Sequence, residues 1–202
     1  VGLRCAGLHF GTNKSGSSAR IDGNSITLTG GLAAFVNDSD DIRINTPFVI
    51  ADETDSAYTK FTANKRFRHG AVISGVGDVC FHTASGVYID LHCNNTYVGD
   101  TLVSGAGIVD AGGNGGTANN GTCFGPTSNK VLVESSGYFR IYVFPFPYDI
   151  EFRPSGTKNA WTKDYNLYDS VKSITGRTTC RSGNIVPAVS MPQKRPTKTR
   201  NL

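Results

Sequence analysis

The sequence predicts an all-β protein, an antiparallel β-sandwich or jelly-roll-like barrel that is followed by an extended C-terminal arm. Helix-forming side chains are scarce among the 202 residues, since Glu occurs only at positions 53, 134 and 151 and Gln only at position 193. Gly occurs 24 times. Short runs of β-branched and aromatic residues recur between turn signals, as is typical of a sandwich or barrel.

The predicted strands follow one another at short, fairly even intervals along the first three quarters of the chain. Asp22-Gly23 and Ser85-Gly86 are interpreted as hairpin turns, because glycine accepts the positive φ that such turns need. No internal repeat of 20 to 50 residues is apparent. The runs predicted as strands are 25–29, 31–36, 41–51, 66–76, 78–83, 87–93, 97–103, 130–134, 138–146 and 149–153.

Alternation of apolar and polar residues indicates strands that bury one face. Ile42 and Ile44 alternate with Arg43 and Asn45, and the 138–146 run alternates in the same way. Strands of this kind require an opposing layer of structure.

The positive charge is concentrated at the C-terminus. The formal net charge is +4, and the last nine residues hold four basic side chains and no acidic one. We therefore divide the chain into a neutral β domain at 1–176 and a basic, proline-containing arm at 177–202. The arm is interpreted as a solvated tail, as a contact with a neighbouring subunit or as a nucleic-acid contact. Its candidate contact residues are Lys194, Arg195, Lys198 and Arg200.

The segment 104–129 is predicted to be a long loop of unknown role, because it is rich in Gly, Asn, Thr and Ser. Its glycines match no phosphate-binding motif, and no cofactor is predicted. No apolar stretch is long enough to span a membrane.

The cysteines and histidines do not form a recognisable metal motif. Cys80 and His82 would share one face of a strand, whereas His92 and Cys93 would face opposite ways, so no metal site is predicted. A Cys80–Cys93 cross-strand disulfide, or two buried thiols, is the preferred interpretation. The five cysteines fit either reduced thiols or a secreted chain with two disulfides.

No catalytic motif is found, and no catalytic residue is assigned. The nucleophile-elbow pattern G-x-S-x-G is absent, and no histidine has a recognisable catalytic setting. A pair of carboxylates for glycoside hydrolysis would be Glu134 with Glu151, but only the scarcity of glutamate selects them.

Aromatic residues near the end of the β domain are candidates for a ligand platform, although a core or a subunit interface uses the same residue types. Within the 138–148 region they would share one face if the strand continued. They are Tyr138, Tyr142, Phe144, Phe146, Tyr148 and Trp161.

These observations favour a non-enzymatic structural subunit of a larger assembly, of the viral capsid or phage tail type, that contacts other copies or subunits through its arm. The alternative is a carbohydrate-binding adhesin or receptor-binding domain with a glycan partner. The expected location is accordingly a virion, a cell surface or the extracellular space. A third possibility is a hydrolase whose site is scattered over the sheet.

Overall fold

The chain folds as a β-solenoid of about five turns, so the prediction of an antiparallel sandwich or jelly-roll barrel is wrong. The structure is a computed structural model. It describes residues 2–11, 19–51, 58–112, 122–134, 138–141, 148–153 and 178–180. Within these ranges, no helix is long and apolar enough to cross a membrane.

The described strands are short, mostly three to five residues, and a 3-10 helix at Gly31–Ala33 lies between two of them. In chain order they are β1 (Leu3–Cys5), β2 (Leu8–Phe10), β3 (Ala19–Ile21), β4 (Ile26–Leu28), β5 (Phe35–Asn37), β6 (Ile42–Ile44), β7 (Phe48–Ala51), β8 (Thr59–Ala63), β9 (Phe67–His69), β10 (Ile73–Val76), β11 (Val79–Thr83), β12 (Tyr88–Leu91), β13 (Thr101–Gly105), β14 (Ile108–Ala111), β15 (Lys130–Glu134), β16 (Tyr138–Ile141), β17 (Asp149–Arg153) and β18 (Thr178–Cys180).

Three parallel sheets form the walls of the solenoid. Sheet A has the order β1-β4-β7-β10, and sheet C has the order β16-β14-β12-β9-β6-β3. Sheet B has the order β18-β17-β15-β13-β11-β8-β5-β2. Through β12 the chain passes from A to B to C in each coil, so neighbours within a sheet are one coil apart and run in the same direction. Every pairing between the described strands is parallel for this reason.

The coil is the internal repeat that the sequence does not display. Phe61, Phe81 and Val103 lie side by side in sheet B, so two successive coils are 20 and 22 residues long (81 − 61 and 103 − 81). The next coil is longer, because Val103 pairs with Val133. Equivalent residues of successive coils are stacked in space, but the number of residues between them differs from coil to coil. The sequence therefore shows no constant period.

An apolar core fills the interior of the coils. The alternation predicted for β6 is confirmed, since Ile42 and Ile44 are fully buried and Arg43 faces outward. A column of aromatic rings runs through the core, with neighbouring centroids 5.5 to 6.4 Å apart. In order along the column, the rings belong to Phe10, Phe35, Phe61, Phe81, Phe124 and Tyr148.

Corners of the solenoid replace the predicted hairpins. Gly86 has a φ of 74°, but the Ser85-Gly86 turn joins β11 of sheet B to β12 of sheet C. The bend at Asp22-Gly23 joins β3 of sheet C to β4 of sheet A. The predicted runs 41–51 and 66–76 each cross a corner, because 41–51 contains β6 and β7 and 66–76 contains β9 and β10.

The predicted loop at 104–129 is partly regular structure. It contains β14, and Cys123 and Phe124 are fully buried in the core. Asn129 closes the coil there, donating from Nδ2 to the main-chain oxygens of Tyr97 and Phe124. Gly105 and Gly107 lie so close to the Thr83 and Ala84 carbonyl oxygens of the neighbouring coil that a Cβ atom would clash there, so these glycines allow the coils to pack closely. Residues 113–121 lie outside the described part.

The described residues include one part of the predicted arm. Thr178–Cys180 forms β18, which pairs with β17 at the end of sheet B. The remainder of the segment 177–202 lies outside the described residues.

Candidate functional site

A cleft of about 600 Å³ lies on the outer face of sheet B. Four consecutive coils contribute to it, through β8, β11, β13 and β15. Leu32 of the 3-10 helix also lines the cleft, and its side chain is exposed. Tyr58 lines it from the position just before β8, and the larger side chains that the strands contribute are Lys60, Cys80, His82, Leu102, Ser104 and Glu134.

Parallel register aligns these side chains in rows. Successive residues of a strand face opposite sides, so Phe81 and Val103 point into the core while their neighbours point outward. Because His82 pairs with Ser104 in the β11–β13 ladder, their side chains lie next to each other on the outer face. Glu134 follows Val133, the partner of Val103, so it lies on the other side of Ser104.

Three neighbouring side chains in the cleft form a chain of polar contacts. The Nδ1 atom of His82 lies 2.9 Å from the Oγ atom of Ser104. The Sγ atom of Cys80 lies 3.5 Å from the same Oγ atom. Ser104 is 8% exposed and Cys80 is 3% exposed, so this chain forms the floor of the cleft.

The surroundings of the cleft favour the uncharged forms of two of these groups. Desolvation lowers the pKa of His82, and the positive charge of Lys60 lowers it further. Desolvation also raises the pKa of the Cys80 thiol, although its hydrogen bond with Ser104 acts in the opposite direction. At neutral pH the floor of the cleft therefore holds a neutral imidazole and a protonated thiol.

The predicted cross-strand disulfide between Cys80 and Cys93 is wrong. Cys80 lies in β11 of sheet B, whereas Cys93 follows β12 of sheet C, so the two residues are not on paired strands. Both are free cysteines, so the alternative of two thiols agrees with the structure, but only Cys80 is buried; Cys93 is half-buried and in contact with the Gly70 carbonyl oxygen. Within the described ranges, no group of three His, Cys, Asp or Glu side chains could hold a metal ion.

The aromatic candidates from the sequence do not line the cleft where the structure describes them. Tyr148 is fully buried in the core, and its hydroxyl donates a 2.6 Å hydrogen bond to the Gly125 carbonyl oxygen. The backbone of Tyr138 begins β16 in sheet C. The other aromatic candidates and the four basic residues of the arm lie outside the described residues, namely Tyr142, Phe144, Phe146, Trp161, Lys194, Arg195, Lys198 and Arg200.

The structure brings the two candidate glutamates onto neighbouring strands. Glu134 is in β15 and Glu151 is in β17, and both positions alternate with core residues, so they face outward. Glu151 accepts a 2.9 Å hydrogen bond from Nε of Arg153. Glu134 lines the cleft, whereas Glu151 is held in this ion pair.

Sequence reasoning missed Tyr58, Lys60 and Ser104 as members of one site. Each is separated by about one coil from the cleft residues on the next strand. An offset of 22 residues between His82 and Ser104 indicates a contact only when the chain is known to be a solenoid.

Comparisons of this chain with protein-family models, with curated proteins and with solved structures found no match.

Proposed function

We propose that this chain is a carbohydrate-binding β-solenoid whose ligand lies in the cleft on sheet B. The observation that carries the proposal is the cleft itself, in which side chains from four consecutive coils line one surface. The outward side chains of neighbouring strands repeat at about 4.8 Å. A chain of similar sugar units is a periodic ligand that suits such a surface.

The composition of the cleft supports a ligand with both polar and apolar faces. Tyr58 offers an aromatic ring, and Leu32 and Leu102 offer apolar contacts beside it. Lys60, His82 and Glu134 offer hydrogen-bond donors and acceptors of both charge signs. Ligand sites commonly combine apolar walls with a few polar groups that fix orientation.

Binding to an array of defined oligosaccharides tests the proposal. We expect the full chain to bind a subset of them, and we expect Tyr58→Ala and Glu134→Ala each to weaken that binding about tenfold, which corresponds to about 1.4 kcal/mol. Tyr88→Ala is the matched control. Tyr88 is a half-buried tyrosine in β12 of sheet C, where it lies near Arg66 and away from the cleft.

Two outcomes contradict the proposal. One is a folded wild-type chain that binds no oligosaccharide on the array. The other is an equal loss of binding for Tyr58→Ala and Tyr88→Ala, because it would show that the loss does not depend on a residue of the cleft.

The role of an assembly subunit stays a prediction from the sequence. It depends on the basic residues at 194–200, which lie outside the described residues. The carbohydrate proposal is compatible with it, because a binding solenoid can be displayed on a larger particle.

A further inference from the structure

We propose that Ser104 and His82 form a nucleophile–base pair that hydrolyses esters in the cleft, with an O-acylated sugar as the substrate class. A serine hydroxyl attacks an acyl group only when a neighbouring base accepts its proton. Ser104 Oγ and His82 Nδ1 are 2.9 Å apart, within the distance that such a transfer requires. Nothing in the sequence motifs assigns this role to either residue.

The order of donors and acceptors suits proton transfer from Ser104 to His82. The Cys80 thiol keeps its proton, since burial raises its pKa, and it can donate to Ser104 Oγ. The Ser104 hydroxyl can then donate its own proton to Nδ1 of a neutral His82. In this arrangement the imidazole carries its hydrogen on Nε2, and Nδ1 is free to act as the base.

The cleft gives a substrate access to the pair and provides a cation beside it. Ser104 and His82 both line the cleft, which has room for an acyl group and part of its carrier. Lys60 lines the same cleft and lies close enough to His82 to lower its pKa. Its ammonium group would stabilise the negative charge that develops on the carbonyl oxygen of a bound ester.

The reaction proceeds in two balanced steps. Ser104 Oγ bonds to the ester carbonyl carbon as its proton moves to His82, and the bond to the alcohol oxygen breaks as His82 passes the proton to that oxygen. A water molecule then attacks the acyl-serine and gives a proton to His82, which returns it to Ser104 Oγ. The products are an alcohol and a carboxylic acid, and no redox partner or metal takes part.

Only the choice of an acylated sugar as carrier rests on the proposed function. The serine chemistry can be measured with reagents that need no glycan. A fluorophosphonate probe reports an activated serine by covalent labelling, and p-nitrophenyl acetate reports turnover. If these assays succeed while no oligosaccharide binds, the hydrolase pair stands and the carbohydrate proposal fails.

The experiment labels the full chain with the fluorophosphonate probe and locates the modified residue by peptide mass spectrometry. We expect labelling at Ser104, loss of that label in Ser104→Ala, and a decrease of about 100-fold in the labelling rate of His82→Gln. The release of p-nitrophenol should decrease in parallel. Ser74→Ala is the matched control, because Ser74 lies on sheet A and its hydroxyl contacts the Phe48 carbonyl oxygen.

The mapped position of the label separates the serine from the neighbouring thiol. We expect it on Ser104, and a label on Cys80 instead would identify a thiol nucleophile and overturn the proposal. The proposal is overturned if wild-type protein, shown to be folded by circular dichroism, takes up no label at Ser104. It is also overturned if His82→Gln, folded by the same criterion, is labelled at the wild-type rate.

Discussion

His69 is a titratable side chain enclosed in the core of the solenoid. It is 1% exposed, and its ring stacks on Phe48 with a centroid distance of 4.9 Å. Burial lowers its pKa from 6.5 to about 4, although main-chain hydrogen bonds with Ala71 and Thr46 oppose part of this effect. The fold therefore holds the neutral imidazole and disfavours the charged one.

Acid should destabilise the protein through His69. Between pH 6.5 and pH 4 the unfolded chain binds a proton at this residue and the folded chain does not. The free energy of unfolding is therefore unaffected by His69 above pH 6.5 and decreases as the pH falls below that value. The expected loss at pH 4 is about 3 kcal/mol. Urea unfolding at pH 7 and pH 4 measures the free energy of unfolding at each pH. In His69→Phe, the difference between the two values should be smaller by about the expected loss.

A core residue without a titratable side chain provides the control for this prediction. Val109 is fully buried, so Val109→Ala should lower stability at both pH values and leave the loss between pH 7 and pH 4 close to that of the wild type. Burial also lowers the pKa of His82 and of His92, so a smaller loss should remain in His69→Phe. An unchanged loss in His69→Phe would contradict the prediction.

At the scale of one element, the outer face of sheet C is organised around a buried carboxylate. Asp90 in β12 is fully buried, and its Oδ2 atom lies 2.6 Å from Nη2 of Arg66 and 3.5 Å from Nε of Arg68. Arg68 in β9 also contacts Asp41 at 2.6 Å. Parallel register produces this network, because it places Asp90 beside Arg68.

Removing the buried carboxylate should destabilise the fold strongly. Asp90→Ala leaves the partly exposed Arg66 and Arg68 guanidinium groups without their shared partner, although Arg68 keeps its contact with Asp41, and we expect a loss of about 1.5 to 3 kcal/mol in the free energy of unfolding. Asp22→Ala removes the exposed ion pair with Arg20 and an exposed hydrogen bond from Asn45, and should cost much less. Chemical denaturation of both variants tests this contrast, and similar losses would refute it.

At the scale of the whole molecule, each coil contacts the coils next to it, so stability depends on contacts between neighbours. Phe61 lies in the middle of the aromatic column, with ring centroids of Phe35 and Phe81 at 5.8 and 5.5 Å. It is fully buried and also lies 5.9 Å from the ring of Phe48. A single side chain thus connects three coils.

Truncating this side chain should weaken the contact between coils throughout the core. We expect Phe61→Ala to reduce the free energy of unfolding by about 3 to 5 kcal/mol, through lost burial and the cavity that remains. Val76→Ala is the control, because Val76 is 73% exposed and its truncation should change stability by less than about 0.5 kcal/mol. A Phe61→Ala variant as stable as the control would contradict the assignment of the column to the core.

Several elements of the fold were predictable because their signals are local. The alternation at 42–44 correctly identified inward and outward residues, and the runs near β11, β12, β15 and β17 were placed correctly. The sequence predicts the runs 41–51 and 66–76 as single strands, because no residue pattern distinguishes a bend within a strand from a corner between two sheets. A short strand followed by a turn has the same pattern in a hairpin and in a coil.

The candidate site was less predictable than the strands. Cys80 and His82 are candidate ligands by residue type, but the sequence predicts a loop at Ser104 and no strand at Lys60 or Tyr58. These residues become neighbours only through the pairing of β8, β11 and β13. Because one-coil offsets vary from 19 to 30 residues in sheet B, no fixed spacing in the sequence identifies them.

The sequence by itself determined that this protein is all-β, which segments form many of its strands and that its net positive charge lies at the C-terminus. Only the tertiary structure decided that those strands pair in parallel as a solenoid and that His82, Ser104 and Cys80 meet in a cleft. The physical reason is that side-chain alternation depends on residues two positions apart, whereas strand pairing depends on contacts one coil apart. Local chemistry fixes the first, and the packing of the whole core fixes the second.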